Sequence, residues 1–293
     1  MVEALFALVT RNKKTFIIFA GAFMVLDAML FGSIARAAYA RDSLTLNFLN
    51  VGQGDAELVG LPGGATLLID GGPARGNVLH ALAEVLPVTQ RTIDLVALTH
   101  AQADHFAGLI EVLSRYRVGA FLWTGRAGTG VAYEALMHAL QEHHVLLVVL
   151  RRGDVVRSGK GIVRVVSPDA ALAASRDLND TSLVLQAEFA STTTLFTGDI
   201  GKSAERSIAN ALRAPVSILK VPHHGSKGSV SAAFTDVLRP ALAVVEVGKN
   251  SYGHPSPEAL ADLARVGARV FRTDEDGTIT VRIDEAGRAH ITK

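Results

Sequence analysis

Thr99-His100-Ala101-Gln102-Ala103-Asp104-His105, running directly off the apolar stretch Ile93-Asp94-Leu95-Val96-Ala97-Leu98, is the segment whose reading decides the fold. The aliphatic run predicts a buried strand, and two imidazoles with a carboxylate just beyond it supply N and O ligands for a borderline ion such as zinc. Helical spacing of Phe106, Leu109, Ile110 and Leu113 predicts a helix over 105–115. The loop therefore lies between a strand end and a helix N-terminus, where free backbone N–H groups favour an anionic ligand. Candidates of the same chemistry stand at the ends of two distant apolar runs, in Thr197-Gly198-Asp199 and Pro222-His223-His224-Gly225-Ser226. Metal sites gather ligands from separate strand ends in this way.

The chain of 293 residues is long enough for one large domain or two small ones, and no boundary is visible inside 44–284. A formal net charge of +1 gives no global attraction to nucleic acid, so a polyanion must be held by a local site. The absence of cysteine excludes disulfides, thiolate-ligated zinc and thiol nucleophiles, leaving His, Asp and Gln as metal ligands.

Residues 1–43 are expected to be a separate segment, with 44–293 forming the main domain. After Arg11, Lys13 and Lys14, the apolar stretch 15–34 is interrupted only by Asp27 and has about the length of a membrane span. The basic flank predicts the N-terminus inside and the main domain outside the cytoplasm. Asp27 at a bilayer centre costs about 2.5–3.5 kcal/mol on insertion scales. Ala38-Tyr39-Ala40 also fits a small-x-small cleavage site, so a signal peptide, with secretion after cleavage, competes with a membrane anchor and with a buried soluble helix.

Leu44, Leu46 and Phe48 alternate with Thr45 and Asn47 as in a half-buried strand; the Gly-rich turn Val51-Gly52-Gln53-Gly54-Asp55 follows. Residues 65–69 read as a further strand ending in Asp70-Gly71-Gly72. Asp55 and Asp70 either aim at one rim or merely cap turns. Helices are expected over 76–86, 131–143, 203–212 and 231–238. Strands are expected over 118–123, 145–150, 162–166, 183–187, 193–196, 218–221 and 241–247. His138, His143 and His144 read as surface or structural residues. Strands mixed with helices in both halves imply a layered α/β architecture with loops meeting at one edge.

At these residues the chain resembles the metallo-β-lactamase superfamily, an αββα four-layer sandwich with the signature H-x-H-x-D-H. More narrowly, it resembles the extracytoplasmic hydrolase domain of ComEC-type DNA-uptake proteins. The matching stretches follow in order: Phe48–Asp55, Leu68–Gly72, Leu98–His105, Asn179–Leu183, Thr197–Asp199, Leu219–Ser226 and Tyr252–Glu258. They span roughly 44–284, and the multi-span channel of full-length family members has no counterpart in them.

The resemblance implies that His100 contributes to one metal position, Asp104 and His105 to a second, and that Asp199 adjoins both. His223 or His224 completes the shell. One or two divalent ions, zinc or manganese, would lower the pKa of a water and polarise a phosphoryl oxygen. Asp104, Asp199 and His224 are the candidate catalytic groups, with His224, if not a ligand, protonating the leaving oxygen. Ser226 and Lys227 are candidates to hold phosphate. His254 is a ligand, a substrate contact or a rim residue braced by Pro255. Gln102 stands where the superfamily has its second His; its amide oxygen is a weaker ligand, which makes the first metal position the weaker one. Asn50 stands where relatives commonly have Asp. The reading that follows is a metal-dependent phosphodiesterase outside the cytoplasmic membrane, acting on DNA within an uptake apparatus. Hydrolysis of a smaller ester, lactam or phosphoester, and a degenerate nucleic-acid-binding domain, are its rivals.

Overall fold

The chain divides between Arg41 and Asp42, and the computed structural model describes residues 23–24, 42–75, 77–212 and 215–293. The apolar segment 15–34 lies outside the described residues apart from Phe23 and Met24. Among the described residues no helix is long and apolar enough to cross a membrane, so the expected N-terminal hydrophobic helix forms no part of the fold described.

From Asp42 onward the chain builds two sheets. The first runs, in spatial order, β15 (Ala289–Thr292), β14 (Ile279–Ile283), β1 (Leu44–Phe48), β2 (Glu57–Gly60), β3 (Thr66–Ile69), β4 (Thr92–Ala97), β5 (Arg117–Trp123) and β6 (Leu146–Val149). The second runs β13 (Arg269–Arg272), β12 (Leu242–Val245), β11 (Ile218–Lys220), β10 (Thr192–Phe196), β9 (Val184–Phe189), β8 (Gly161–Ser167) and β7 (Val155–Ser158). Each sheet has an antiparallel and a parallel part. Strands β3 to β6 are parallel, with Leu67 opposite Leu95, Leu95 opposite Ala120 and Ala120 opposite Leu146. Strands β10 to β13 are parallel too, with Thr194 opposite Ile218, Ile218 opposite Leu242 and Leu242 opposite Arg269.

Side-chain alternation along the strands divides the core into layers. Leu67 and Ile69 of β3 point between the sheets, where they join Leu46, Phe48, Leu185, Phe196 and Val244. Leu68 of the same strand points outward, into a core with α1 (Asn77–Val85), α2 (Ala103–Arg115) and α3 (Val131–Glu142) through Val78, Leu82, Phe106, Leu109 and Leu136. On the far side, Leu195, Leu219, Ala243 and Val245 pack on α4 (Lys202–Ala211), α5 (Ala232–Leu238) and α6 (Pro257–Arg265). The expected helix–sheet–sheet–helix order results, and the elements read from sequence lie within a residue or two of those observed.

This layering positions the site. Parallel strands present their C-terminal ends at one edge, the usual place for a ligand crevice in α/β sheets. The ends of β3, β4, β10, β11 and β12 lead respectively to Asp70, His100, Asp199, His223-His224 and Glu246. The segments are tied together by backbone bonds, Leu183 N to Thr99 O at 2.9 Å and His223 N to Gly198 O at 3.2 Å. Close approach fixes two glycines: a Cβ on Gly54 would lie 2.2 Å from the Asp104 carbonyl oxygen, and one on Gly108 2.0 Å from that of Gly71.

Candidate metal centre

His100, Asp199, His223 and His224 sit on short segments just after strands, and the last two are left-handed, as is Asp70 behind them. Asp70, His223 and His224 have φ of 54°, 50° and 52°, a conformation that costs a non-glycine residue of order 1–3 kcal/mol and concentrates at functional sites. Asp104 and His105 fall in the first turn of α2, where a carboxylate is favoured by the helix dipole.

Four donor atoms converge. His105 Nε2 lies 3.3 Å from Asp199 Oδ2 and 4.0 Å from Asp104 Oδ2; His224 Nε2 lies 3.4 Å and 3.5 Å from the same two oxygens. Two ligands about 2.1 Å from a tetrahedral zinc are about 3.4 Å apart, so these spacings fit a common ion. His100 Nε2 joins His105 and Asp199 in a second, overlapping group. The Nε2 atoms of His100, His105 and His224 and both Asp199 oxygens are buried without a hydrogen-bond partner. Orphaned donors and acceptors of this kind are rare and expensive, and a divalent cation would satisfy all five. The residues fit the metal.

The other face of each ring is held. His105 Nδ1 bonds Asp70 Oδ2 at 2.8 Å, and Asp70 also accepts from the Thr99 N–H at 2.8 Å and hydroxyl at 2.6 Å. His224 Nδ1 donates to the Glu246 carbonyl at 2.8 Å and lies 3.1 Å from Asp55 Oδ1. His100 Nδ1 lies 3.0 Å from Thr99 Oγ1. Such contacts fix the tautomer that leaves Nε2 free for an ion. Of the two readings for Asp55 and Asp70, the structure thus favours a place in the site for both, behind the ligand rings.

The electrostatics follow from crowding charges where water is scarce. Burial pushes His100 down to about 3, helped by His105, so its ring is neutral. Burial acts in the same downward sense on His105 and His224, but the carboxylates of Asp199 and Asp55 outweigh it and raise both, His224 to about 10. Burial of Asp104 is outweighed by the neighbouring rings of His224 and His105, holding its carboxyl at about 2. Asp199 is likewise held low by His224 and His105 against its burial. In the absence of an ion, protons on His105 and His224 neutralise the carboxylates; an ion must displace them.

Beneath the ligands lies a group that the sequence reading passed over. Lys220, fully buried on β11, pairs with Asp55, donates to the Gly198 carbonyl at 3.1 Å and sits 3.8 Å from Asp199 Oδ1. Burial disfavours its charge, but Asp55 and Asp199 overcome that and keep it protonated. Next to it, Glu57 and Glu246 are buried together and both are shifted upward, Glu57 by burial and then by Asp55, Glu246 by burial and then by Glu57 and Asp55. In Ile218-Leu219-Lys220-Val221 a lysine reads as a surface residue; its one signal was position, inside a strand buried on both faces.

The remaining candidates divide. His254 and Gln102 line a cleft of about 680 Å³ with Asp104, Asp199, His223 and His224. Gln102 spends its amide N–H on Asn179 Oδ1 at 2.5 Å, and Asn179 in turn lies 3.5 Å from His223 Nδ1. His223 stands at the edge of the cluster, part-exposed, with Nε2 3.8 Å from Asp199 Oδ2; the left-handed turn brings His224 inward in its place. Of the two histidines left open for the shell, His224 is the one that points its Nε2 among the carboxylates. Ser226 and Lys227 do not line the cleft. Ser226 Oγ accepts from the Gly228 N–H at 3.2 Å, and Lys227, 80% exposed, pairs with Glu258 at 3.3 Å, because the turn carries the chain away from the opening.

Comparison with known proteins agrees with this geometry. The family profile described as Metallo-beta-lactamase superfamily matches residues 49–245. The chain is 32% identical over 255 residues to ComE operon protein 3 of Bacillus subtilis (strain 168), covering 81% of this chain and 33% of that protein. It is 26% identical over 258 residues to Recombination protein 2 of Haemophilus influenzae, covering 86% and 30%. It thus spans about a third of the length of these relatives. Among solved structures, CmlA, a diiron beta-hydroxylase from Streptomyces venezuelae, superposes with a TM-score of 0.54 at 15% identity, over 82% of this chain and 54% of that one. YhfI, a metallo-beta-lactamase fold protein from Bacillus subtilis, superposes with a TM-score of 0.50 at 12% identity, over 85% and 100%.

Proposed function

The chain belongs to the metallo-β-lactamase superfamily, and from that premise we propose that it is a metal-dependent phosphodiesterase that cleaves DNA during uptake. The observation that carries the reading is the pair of buried, unpartnered Nε2 atoms of His105 and His224 at ligand–ligand spacing from Asp199 Oδ2, with His100 in an overlapping group. Asp104, His105, Asp199 and His224 would hold one ion, and His100 with Asp199 and the amide of Gln102 a weaker second. A bound zinc or manganese ion lowers the pKa of a water toward neutrality and polarises a phosphoryl oxygen.

The protein's own groups set the rest. Asp70 and the Glu246 carbonyl hold the two ligand rings in register, and Asp55 is held in turn by Lys220. His254, lowered by burial and then by His223 and His224, lines the cleft beside both rings and would contact substrate there. DNA as substrate, and a place in an uptake apparatus, are supported by the similarity to ComE operon protein 3 and Recombination protein 2. An extracytoplasmic position is supported by Arg11, Lys13 and Lys14 ahead of the apolar segment.

The test is metal quantitation on the purified chain, followed by cleavage of labelled single- and double-stranded DNA and bis(p-nitrophenyl) phosphate. Metal-dependent cleavage of DNA, lost on chelation, is expected; a metal-loaded protein that cleaves none of them contradicts the reading. Reporter fusions after Lys293 test the position, and an active cytoplasmic reporter there would exclude it.

A further inference from the structure

The loop that follows β12 carries an aromatic ring for which the fold has no use. Asn250 fixes this loop from within: its Oδ1 accepts from the N–H groups of Tyr252 at 3.0 Å and His254 at 3.1 Å, and its Nδ2 donates to the carbonyls of Gly248 at 2.9 Å and His254 at 2.8 Å. Gly248 N–H is tied to Gln53 Oε1 at 3.2 Å, joining the loop to the Gly-rich turn across the site. On this fixed backbone the Tyr252 side chain stands 74% exposed on the wall of the metal-site cleft. Its ring lies 5.7 Å from that of His254, which lies 5.6 Å from His223 and 6.3 Å from His224. A row of rings thus leads from the ligand cluster to the cleft mouth.

The rest of the lining says what such a row would receive. Pro73, Ala74, Ala103, Ala107 and Ala132 give small apolar side chains, and among the described lining residues there is no Lys or Arg. Apart from an ion in the site, this cleft has no fixed cation to neutralise phosphates, so affinity for a polyanion must come from elsewhere. Stacking on an aromatic face is the available source, it is tolerant of sequence because every base has a π-face, and a preorganised ring loses little entropy when it is used. A base paired inside a duplex cannot present that face.

We propose that Tyr252 is a stacking platform for a nucleobase of single-stranded DNA, seating the nucleotide beside the phosphodiester that faces the metal-binding cluster. The inference rests on the phosphodiesterase reading for its substrate and adds the strand preference and the residue that sets it.

The test compares binding of two fluorescein-labelled, phosphorothioate-linked strands of equal length, an oligothymidylate and an abasic strand, by anisotropy with zinc- or manganese-supplemented full-length protein. Wild type is expected to prefer the oligothymidylate. Tyr252→Ala should lose roughly 5- to 150-fold in affinity for it, the range for one stacked base, and little for the abasic strand, whereas Tyr252→Phe should keep the preference. The loss should also be nearly independent of salt, since no phosphate contact is removed. Equal losses for both strands, a Phe variant as weak as Ala, or a wild type without preference would each overturn the platform. A preference that persists in a protein unable to cleave any phosphodiester would leave the platform standing and remove the hydrolase reading alone.

Discussion

His105 and His224 face Asp199 with each ring braced from behind, by Asp70 and by the Glu246 carbonyl and Asp55. The side made by His100, Gln102 and His223 is built differently. His100 is braced only by the Thr99 hydroxyl, Gln102 is turned to Asn179, and His223 is part-exposed at the rim. Both sides share Asp199, but only the first has charged or carbonyl partners behind its donors. The lesson is that the identity of a ligand says less about a metal position than what stands behind it. The two positions should therefore differ in affinity, and a change on the braced side should do more harm than one on the other.

The largest effect is expected at the shared residue. Asp199→Asn removes an anionic ligand from both groups, and a loss of about 10³-fold or more in kcat/KM is expected if several kcal/mol of charge stabilisation disappear. Circular dichroism should show the fold retained; full activity in this variant would place the chemistry elsewhere. Lys220→Met leaves Asp55 beside the Glu57 and Glu246 pair without its cation. Breaking a buried ion pair costs about 3–5 kcal/mol, so the urea midpoint should fall markedly; an unchanged midpoint would show that Lys220 is not the counter-ion of the braced side.

Asp70→Asn, which keeps the shape but not the charge behind His105, should weaken metal binding by roughly 10- to 100-fold. The same change in affinity from Asn179→Ala, which removes the partner of Gln102 and touches no group on the braced side, would erase the asymmetry between the sides. Gln102 should matter least. Gln102→Ala is expected to lose less than about tenfold in activity, below the roughly 10- to 100-fold of outer-shell changes, while Gln102→His should tighten the ion on the His100 side. Unchanged metal stoichiometry in Gln102→His would show that this position does not face it.

The braced side was legible in part. Asp104 and His105 stand in a strand–loop–helix pattern with a metal-binding composition, and Thr197-Gly198-Asp199 ends an apolar run, so the sequence alone places both near strand ends. What stands behind them was not legible, because Asp70, Asp55 and Lys220 meet through tertiary approach across 29 to 165 residues of chain. A single Lys within an apolar tetrapeptide, or an Asp before glycine, has a bland local reading that only packing overrules. The choice between His223 and His224 depended on a left-handed turn that the sequence does not announce. At the C-terminal end, α6 did carry an unused signal, an N-cap at Ser256 followed by Pro257, with Ser256 Oγ accepting from Ala259 N–H at 3.1 Å. Strands β2, β7, β13 and β15 hold at most two adjacent apolar residues and declare little, whereas Ile279, Val281 and Ile283 of β14 alternate with Thr280 and Arg282, a second unused signal.

The central claim is that the orphaned nitrogens of His105 and His224 are metal ligands which protons occupy when no ion is bound. Both rings are raised, His224 to about 10, by burial outweighed by Asp199 and Asp55. An ion binding at neutral pH must expel those protons, so its affinity should rise with pH and fall as acid is added. Competitive titration of the metal-stripped protein with zinc or manganese at pH 6, 7 and 8 measures this directly. The account expects tight binding whose apparent Kd falls by about 10- to 100-fold per pH unit, for one or two protons released. A Kd that does not change with pH, or no bound metal at any of the three, would contradict it.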